Sequence, residues 1–376
     1  MSKQPLPPLE GAPRGTEPLT VLGIETSCDE TAAAVVRLEA GRAEVLSSVV
    51  LSQDEAHAPF GGVVPEIAAR SHVEGIDRVA ASALAAAGVS MADLTGVAAT
   101  AGPGLVGGVM VGLAFAKAIA LVRGLPLVAV NHLEGHALSA RLADDVPYPF
   151  LLLLISGGHC QLLDVAGVGA AKRLGSTIDD AAGEAFDKIG VALGLAYPAG
   201  AALERLAANG DPARIALPKA MAGRAGCDFS FSGLKTAAAR IAERLATDAD
   251  RADLAAAVQA EIVRQLADRT QHAMDVFATR HTGVQRRLVV AGGVAANQAV
   301  RGRLADLAKA RDFAFFAPPL AYCTDNAAMI ALAGAERLAA GLCDPLSVRA
   351  RPRWPLDEAA ARERPTHVPG RKGAKA

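Results

Sequence analysis

Two stretches decide the fold: VLGIETSCDETAAAVVRL at residues 21–38 and LLLLISGGHCQLLDV at residues 151–165. Each is an apolar run, a short turn of small or polar residues, and a second apolar run, the pattern of two strands joined by a turn. In the first, Val21–Glu25 reads as a strand, Thr26–Glu30 as a polar turn and Ala32–Leu38 as the returning strand, with a third strand at Glu44–Leu51. In the second, strands at Phe150–Ile155 and Cys160–Val165 flank Ser156-Gly157-Gly158, and a further short strand lies near Lys172–Leu174.

Both openings run on into helices. The first continues with a helix from near Pro65 past Ala85, a strand at Leu94–Thr100 and a turn at Gly102-Pro103-Gly104. A helix at Val106–Val122, a strand at Pro126–Val130 and a helix at about 132–142 follow. The second ends with a strand at Arg287–Ala291, the turn Gly292-Gly293 and a helix starting near Asn297. Form repeats here where sequence does not, which predicts two α/β lobes facing each other across a cleft, with glycine turns from both reaching one nucleotide. The expected divisions are a loose Pro-rich leader at 1–18, an N-terminal lobe at 19–145, a C-terminal lobe at 146–346 and an Arg/Pro-rich, largely peripheral tail at 347–376.

Composition agrees. A chain of 376 residues corresponds to roughly two to three domains. With 51% apolar and 20% charged residues it can bury a large core, which excludes wholesale disorder. Lys plus Arg (38) against Asp plus Glu (39) excludes a histone-like, polyanion-coating chain. The cysteines at 28, 160, 227, 323 and 343 are scattered, odd in number and form no CxxC pair. That points to a reducing compartment and away from a disulfide scaffold or a cysteine zinc site. No secretory signal is expected at the start, and the longest apolar stretch, Gly104–Val122, is interrupted by Lys117 and studded with glycine. A buried helix accounts for it better than a membrane span. The expectation is a cytoplasmic protein without a membrane segment.

His132-Leu133-Glu134-Gly135-His136 is the most informative pentapeptide. Imidazoles at i and i+4 share a helix face and can grip one cation. A zinc peptidase needs HExxH, with glutamate next to the first histidine as general base. Here Glu134 is third, about 200° round the helix from His132, and points away. The alternative is a helix carrying two partly exposed histidines. A two-histidine site needs a further ligand, usually a carboxylate. Thr324-Asp325-Asn326 offers one: Thr324 is read as the N-cap of a helix over Ala327–Ala339, placing Asp325 in the first turn. Equally, Asp325 there is an ordinary acidic residue at a helix N-terminus.

Ser156-Gly157-Gly158 follows a buried strand, so its backbone N–H groups can approach phosphate or carbonyl oxygens; Gly292-Gly293 repeats the device, with Asn297 one turn on. GPGLVG at 102–107 matches GxGxxG, but Ala120–Asn131 holds no Asp or Glu for a ribose, which argues against a dinucleotide site. Asp180, Glu184 and Asp187 can share a helix face, either around a cation or hydrogen-bonding group or as a solvated acidic surface. Ser230–Thr236 is a polar loop entering an alanine-rich helix; its Lys235 is a phosphate ligand or a surface lysine.

Nine segments together resemble one family, the universal tRNA adenosine threonylcarbamoyltransferases, once labelled sialoglycoprotein endopeptidases. They are VLGIETSCDET (21–31), FGGVVPEIAARSH (60–72), GPGLVGG (102–108), NHLEGH (131–136), LLLLISGGH (151–159), IDDAAGEAFDKIG (178–190), FSFSGLKTA (229–237), VVAGGVAANQAVR (289–301) and CTDNAAMIALAG (323–334). The resemblance spans about residues 20–355, in order and at family-like spacing.

The resemblance implies the α/β fold of the actin, Hsp70 and sugar-kinase ATPases, two RNase H-like lobes around a nucleotide cleft. It implies one divalent metal per subunit, iron(II) first and zinc(II) second, on His132, His136 and Asp325. It places threonylcarbamoyl-AMP on Leu154, Ile155, Ser156, Gly157, Gly158, Asp187, Gly200 and Asn297. The family usually has Pro-Gly-Gly at 198–200, where this chain has Pro-Ala-Gly. The implied reaction moves threonylcarbamoyl from AMP to N6 of adenosine-37 in tRNAs reading codons that begin with A. Glu30 or Asp29 is the candidate acceptor of the N6 proton, and Lys235, Arg301 and Arg303 are candidate tRNA or phosphate contacts. No basic stripe or aromatic platform for the anticodon loop stands out, with aromatics at 4%. Bacterial relatives work with a noncatalytic, TsaB-like paralogue and a small, TsaE-like P-loop ATPase. A metallopeptidase, an inert scaffold paralogue and a sugar or acetate kinase are the competing readings; the paired histidines argue against the last two.

Overall fold

The structure, a computed structural model, describes residues 17–60 and 62–363. The elements begin with β1 (Leu19–Glu25), β2 (Glu30–Glu39), β3 (Arg42–Ser52), α1 (Asp54–His57), α2 (Pro65–Ala87), β4 (Gly96–Gly102), α3 (Val106–Arg123), β5 (Leu127–Asn131) and α4 (His132–Leu138). They continue with β6 (Phe150–Ile155), β7 (Cys160–Gly167), β8 (Ala170–Ser176), α5 (Ala182–Ala192), α6 (Gly200–Ala207), α7 (Ser232–Ala242) and α8 (Asp248–Arg280). The last are β9 (Arg287–Ala291), α9 (Gln298–Ala310), β10 (Ala314–Phe316), α10 (Ala327–Ala339) and α11 (Glu358–Glu363).

The predicted repeat is present as topology. One sheet has the order β3-β2-β1-β4-β5 and the other β8-β7-β6-β9-β10, the same path traced twice. In each, the first strand pairs antiparallel with the second and parallel with the fourth.

The chain forms two compact units. Among the described residues, one comprises those from Glu17 to Asp54, Val64–Leu138 and Asn326–Pro352, and the other Glu55–Val63, Ser139–Asp325 and those from Arg353 to Glu363. The divisions thus fall at 138/139 and 325/326, where chain order alone places them at 145/146 and 346/347. The reason is α10: its sequence AAMIALAGAERLA is apolar on almost every face, and it returns to cover the first sheet. A Cβ on Gly23 would lie 2.5 Å from the Ala327 carbonyl oxygen, and one on Gly334 would lie 2.3 Å from the Ala98 Cβ, so helix and sheet meet through bare backbone. Gly112 of α3 approaches Ile24, the residue after Gly23, so α3 and α10 cover opposite faces of β1.

Three expectations need correction. Among the described residues α3 is the one helix long and apolar enough to cross a membrane by length and composition, but it is not a buried helix. Gly108, Val109, Gly112, Leu113, Ala116 and Ala120 are buried, whereas Val106, Met110, Leu121 and Val122 are exposed, so an apolar outer face remains. The tail is not peripheral over its first part. Lys117 donates to the Val348 carbonyl, Arg351 N–H to Ala101 O, and Asp357 accepts the Arg173 N–H ahead of α11. Finally, the turn after β1 is shorter than read, because Glu30 already pairs with Ser52 as the first residue of β2. Residues 1–16 of the leader expected at 1–18, and the tail from 364, lie outside the described residues.

In the second unit the core gathers Leu151, Leu153 and Ile155 of β6 with Leu288 and Val290 of β9, under Phe186, Phe229, Phe231 and Phe277. All five cysteines are free, as expected, and burial raises the thiol pKa of Cys160, Cys227 and Cys323.

Candidate metal centre

β5 runs straight into α4, where the Asn131 side chain accepts the Leu133 N–H at 2.9 Å, a cap that starts the helix at His132. Every residue of α4 is buried. Gly135 makes this packing possible, since a Cβ there would lie 2.8 Å from Ile330 and 3.1 Å from Met329 on α10. Glu134 reaches the same helix further along, pairing with Arg337 of α10 at 3.2 Å. The misplaced glutamate is a structural ion-pair partner.

His132 and His136 stand edge to face, with ring centroids 4.7 Å apart. The cap of α10 is Asn326, which accepts the Met329 N–H at 3.0 Å, so Thr324 is not the cap and Asp325 sits just ahead of the helix instead of in its first turn. Ligand atoms of His132, His136 and Asp325 all lie within 4.8 Å of one another, the one such group of three His, Cys, Asp or Glu donors among the described residues. Two imidazoles and a carboxylate form the donor set of mononuclear iron(II) and catalytic zinc sites, so these residues fit a divalent metal.

Behind His132 stands a buried polar network that sequence reasoning missed. Its Nδ1 is 3.0 Å from Glu25 Oε2 and 3.1 Å from Ser27 Oγ. Glu25 also accepts the Ser27 N–H and the Thr100 hydroxyl, each at 2.5 Å. The one available signal was a glutamate closing an otherwise apolar strand. His72 organises the same loop, with Nδ1 2.8 Å from Thr31 Oγ1 and Nε2 3.1 Å from Cys28 O. Asp29, which ends this loop, and Glu30, which opens β2, are both half-buried.

In the second unit Leu154 and Ile155 are buried at the end of β6, and Ser156-Gly157-Gly158 forms the turn. Ser156 N–H donates to His159 O, and its Oγ accepts the His159 N–H. Gly157 and Gly158 are exposed, with no atom within 4 Å of a would-be Cβ. The second glycine turn lies beside the first because Leu154 of β6 pairs with Ala291 of β9. Gly292 has φ +93°, and a Cβ there would be 2.4 Å from Ile155 O, whereas Gly293 is open. Gly183, which sequence reading overlooked, lets α5 begin directly under the first turn, its would-be Cβ 2.6 Å from Ser156 O.

The acidic segment is not one helical face. Asp180 lies ahead of α5, and the acids take separate partners: Asp180 pairs with Lys235 and Glu184 with Lys188. Asp179 accepts the Phe231 and Ser232 N–H groups and the Ser230 and Ser232 hydroxyls. Asp187 accepts the Ala199 and Gly200 N–H groups at 2.9 Å each. Burial raises its pKa, and those hydrogen bonds oppose the shift. Ala199 seats its methyl 2.5 Å from where a Cβ of Gly190 would be, so the missing side chain on α5 makes its room. Asn297 caps α9 through the Val300 N–H at 2.9 Å and donates to Gln259. Arg301 donates to Ala295 O and Pro318 O; Arg303 is exposed.

Comparison with known proteins gives these geometries a context. A protein-family model described as "TsaD: tRNA N6-adenosine threonylcarbamoyltransferase" matches residues 44–332. A Caulobacter vibrioides protein named tRNA N6-adenosine threonylcarbamoyltransferase is 70% identical over 359 residues, covering 95% of this chain and 98% of the relative. A Maricaulis maris protein of the same name is 59% identical, covering 95% and 96%. Among solved structures, HypF from T. kodakarensis is 15% identical with a TM-score of 0.53, over 85% of this chain and 48% of HypF, a likeness of fold. The doubled strand order agrees with the two-part α/β fold expected from the sequence. On the extent of these matches, the chain belongs to the tRNA N6-adenosine threonylcarbamoyltransferase family.

Proposed function

We infer that this chain transfers a threonylcarbamoyl group from threonylcarbamoyl-AMP to N6 of adenosine-37 in tRNAs reading codons that begin with A, forming t6A and releasing AMP. The observation that carries the reading is the convergence of His132, His136 and Asp325 in a chain that matches this family over residues 44–332.

The chemistry sets what the residues must do. N6 of adenine is an exocyclic amine whose lone pair is drawn into the ring, so it is a poor nucleophile. The donor compensates, being a mixed anhydride with phosphate as leaving group. N6 attacks the carbamoyl carbon, the bond from that carbon to the phosphate oxygen breaks, and the N6 proton passes to a base. The protein aligns the partners and stabilises the developing oxyanion. The open backbone of Gly157, Gly158 and Gly293 suits the phosphate and carbonyl oxygens, and Leu154, Ile155, Ser156, Asp187, Gly200 and Asn297 frame them. Glu30, with Asp29 as alternative, takes the proton, on a loop anchored at its start by Glu25. A divalent metal, iron(II) first and zinc(II) second, supplies Lewis-acid polarisation when bound by His132, His136 and Asp325.

The tRNA is met in the cytoplasm, with Arg303 as exposed phosphate contact and Lys235 and Arg301 as contacts that first leave their internal partners. A TsaB-like paralogue and a TsaE-like ATPase complete the system, and the exposed apolar face of α3 is suited to such a protein partner. The peptidase reading is disfavoured by the Glu134–Arg337 pair. Mass spectrometry of nucleosides from unmodified tRNA, incubated with threonylcarbamoyl-AMP, this protein and both helpers, tests the function. Formation of t6A is expected. An unmodified adenosine-37, or chelator-sensitive cleavage of a glycoprotein instead, would overturn it.

A further inference from the structure

We propose that Glu25 is the positioning residue of the metal centre: its carboxylate holds His132 in the Nδ1–H tautomer, so that Nε2 is the nitrogen offered to the metal. The proposal rests on the reading of His132, His136 and Asp325 as ligands. Glu25 is fully buried at the end of β1 and touches no solvent. Its Oε1 accepts the Ser27 N–H at 2.5 Å, and its Oε2 accepts the Thr100 hydroxyl at 2.5 Å, two donors that hold the carboxylate in one orientation. The same Oε2 is 3.0 Å from His132 Nδ1. A carboxylate only accepts, so the facing ring nitrogen carries the proton. Ser27 Oγ, 3.1 Å from that nitrogen, donates or accepts and therefore follows whichever tautomer Glu25 sets. A metal-bound histidine anchored through its other nitrogen by a carboxylate is better oriented and a stronger donor, and loss of such an anchor typically weakens metal binding about 10–100-fold.

The arrangement also predicts that the neutral isostere cannot replace Glu25. In Glu25→Gln one oxygen can still accept the Ser27 N–H, but the amide NH2 then faces Nδ1 as a donor. It selects the opposite tautomer and puts a proton on Nε2.

Two measurements test the proposal. In metal-free wild type, long-range 1H–15N spectra of 15N-histidine-labelled protein, with His132 assigned by its loss in His132→Asn, should show the Nδ1–H form. Titration with iron(II) or zinc(II) alone should give about 10–100-fold weaker binding in Glu25→Gln, while Ser27→Ala stays within about threefold of wild type. A His132 in the Nε2–H form, wild-type affinity in Glu25→Gln, or equal losses in both variants would overturn the assignment to Glu25 while leaving the ligand set standing. A wild type that binds no more metal than His136→Ala would overturn the ligand set and this inference together. The wild-type tautomer needs no variant, so the test holds even if Glu25→Gln fails to fold.

Discussion

The two sheets follow the same path, yet the turns after their first strands are built in opposite ways. After β1, Glu25, Thr26 and Ser27 all turn side chains inward: Glu25 and Ser27 to His132, Thr26 to the Gly108 carbonyl at 2.8 Å. After β6 the corresponding turn presents backbone, with Gly157 and Gly158 open and exposed. One scaffold is therefore suited to two chemistries. A turn full of side chains orients a ligand that needs a directed lone pair, and a turn stripped of them offers N–H groups to an anion.

The difference can be broken experimentally. The largest effect belongs to the first unit: His136→Ala should weaken metal binding by more than about a hundredfold and take transferase activity with it, measured by metal titration and t6A yield. Next come paired glycine variants in the second. Gly292→Ala, at φ +93° and against Ile155 O, should lower stability by about 1–3 kcal/mol from backbone strain alone, read by denaturant melts. Gly157→Ala should leave stability within about 0.5 kcal/mol and weaken adenylate binding about tenfold. If both behaved alike, the distinction between a packed and an open glycine would fail. Glu134→Gln tests the other side of α4. Breaking its pair with Arg337 should cost about 1–3 kcal/mol of stability with metal affinity unchanged within about threefold.

The smallest effect is in pH. Burial holds the Asp187 pKa above the 3.8 of a free aspartate, so the folded state keeps a proton that the unfolded chain has released. Its stability contribution is full below 3.8 and is lost as pH rises through the raised value. The stability of wild type minus that of Asp187→Asn should therefore fall as pH rises from 3.8 through the raised value, a trend that thermal melts from acid to neutral pH would follow. A difference that stayed flat or rose would show that the turn amides outweigh burial.

Much of this was legible because strands and glycine turns announce themselves locally. The alternation of apolar runs and small turns at 21–38 and 151–165 gave both sheet openings, and the i, i+4 spacing gave the two imidazoles that stand together. What escaped reading was long-range. Glu25 gains its meaning only from His132 and Thr100, and Asp179 only from Ser230–Ser232, partners brought near by sheet pairing. Asp325 was found, but the cap of α10 was misplaced by two residues because Thr324, Asp325 and Asn326 stand in a row and all three are N-cap residue types. The outer face of α3 was misread since periodicity cannot separate an apolar face that meets the core from one that does not.

The interruption of the first unit by residues 139–325 bears on biogenesis. The helix that closes its sheet leaves the ribosome only after about 190 further residues, roughly 10–40 s of synthesis. Until then Gly23 and Gly135 face no α10, and Asp325 does not yet exist for the imidazoles to meet. The nascent chain thus carries two histidines without the carboxylate that completes the group, and the three donors meet only when translation is nearly complete.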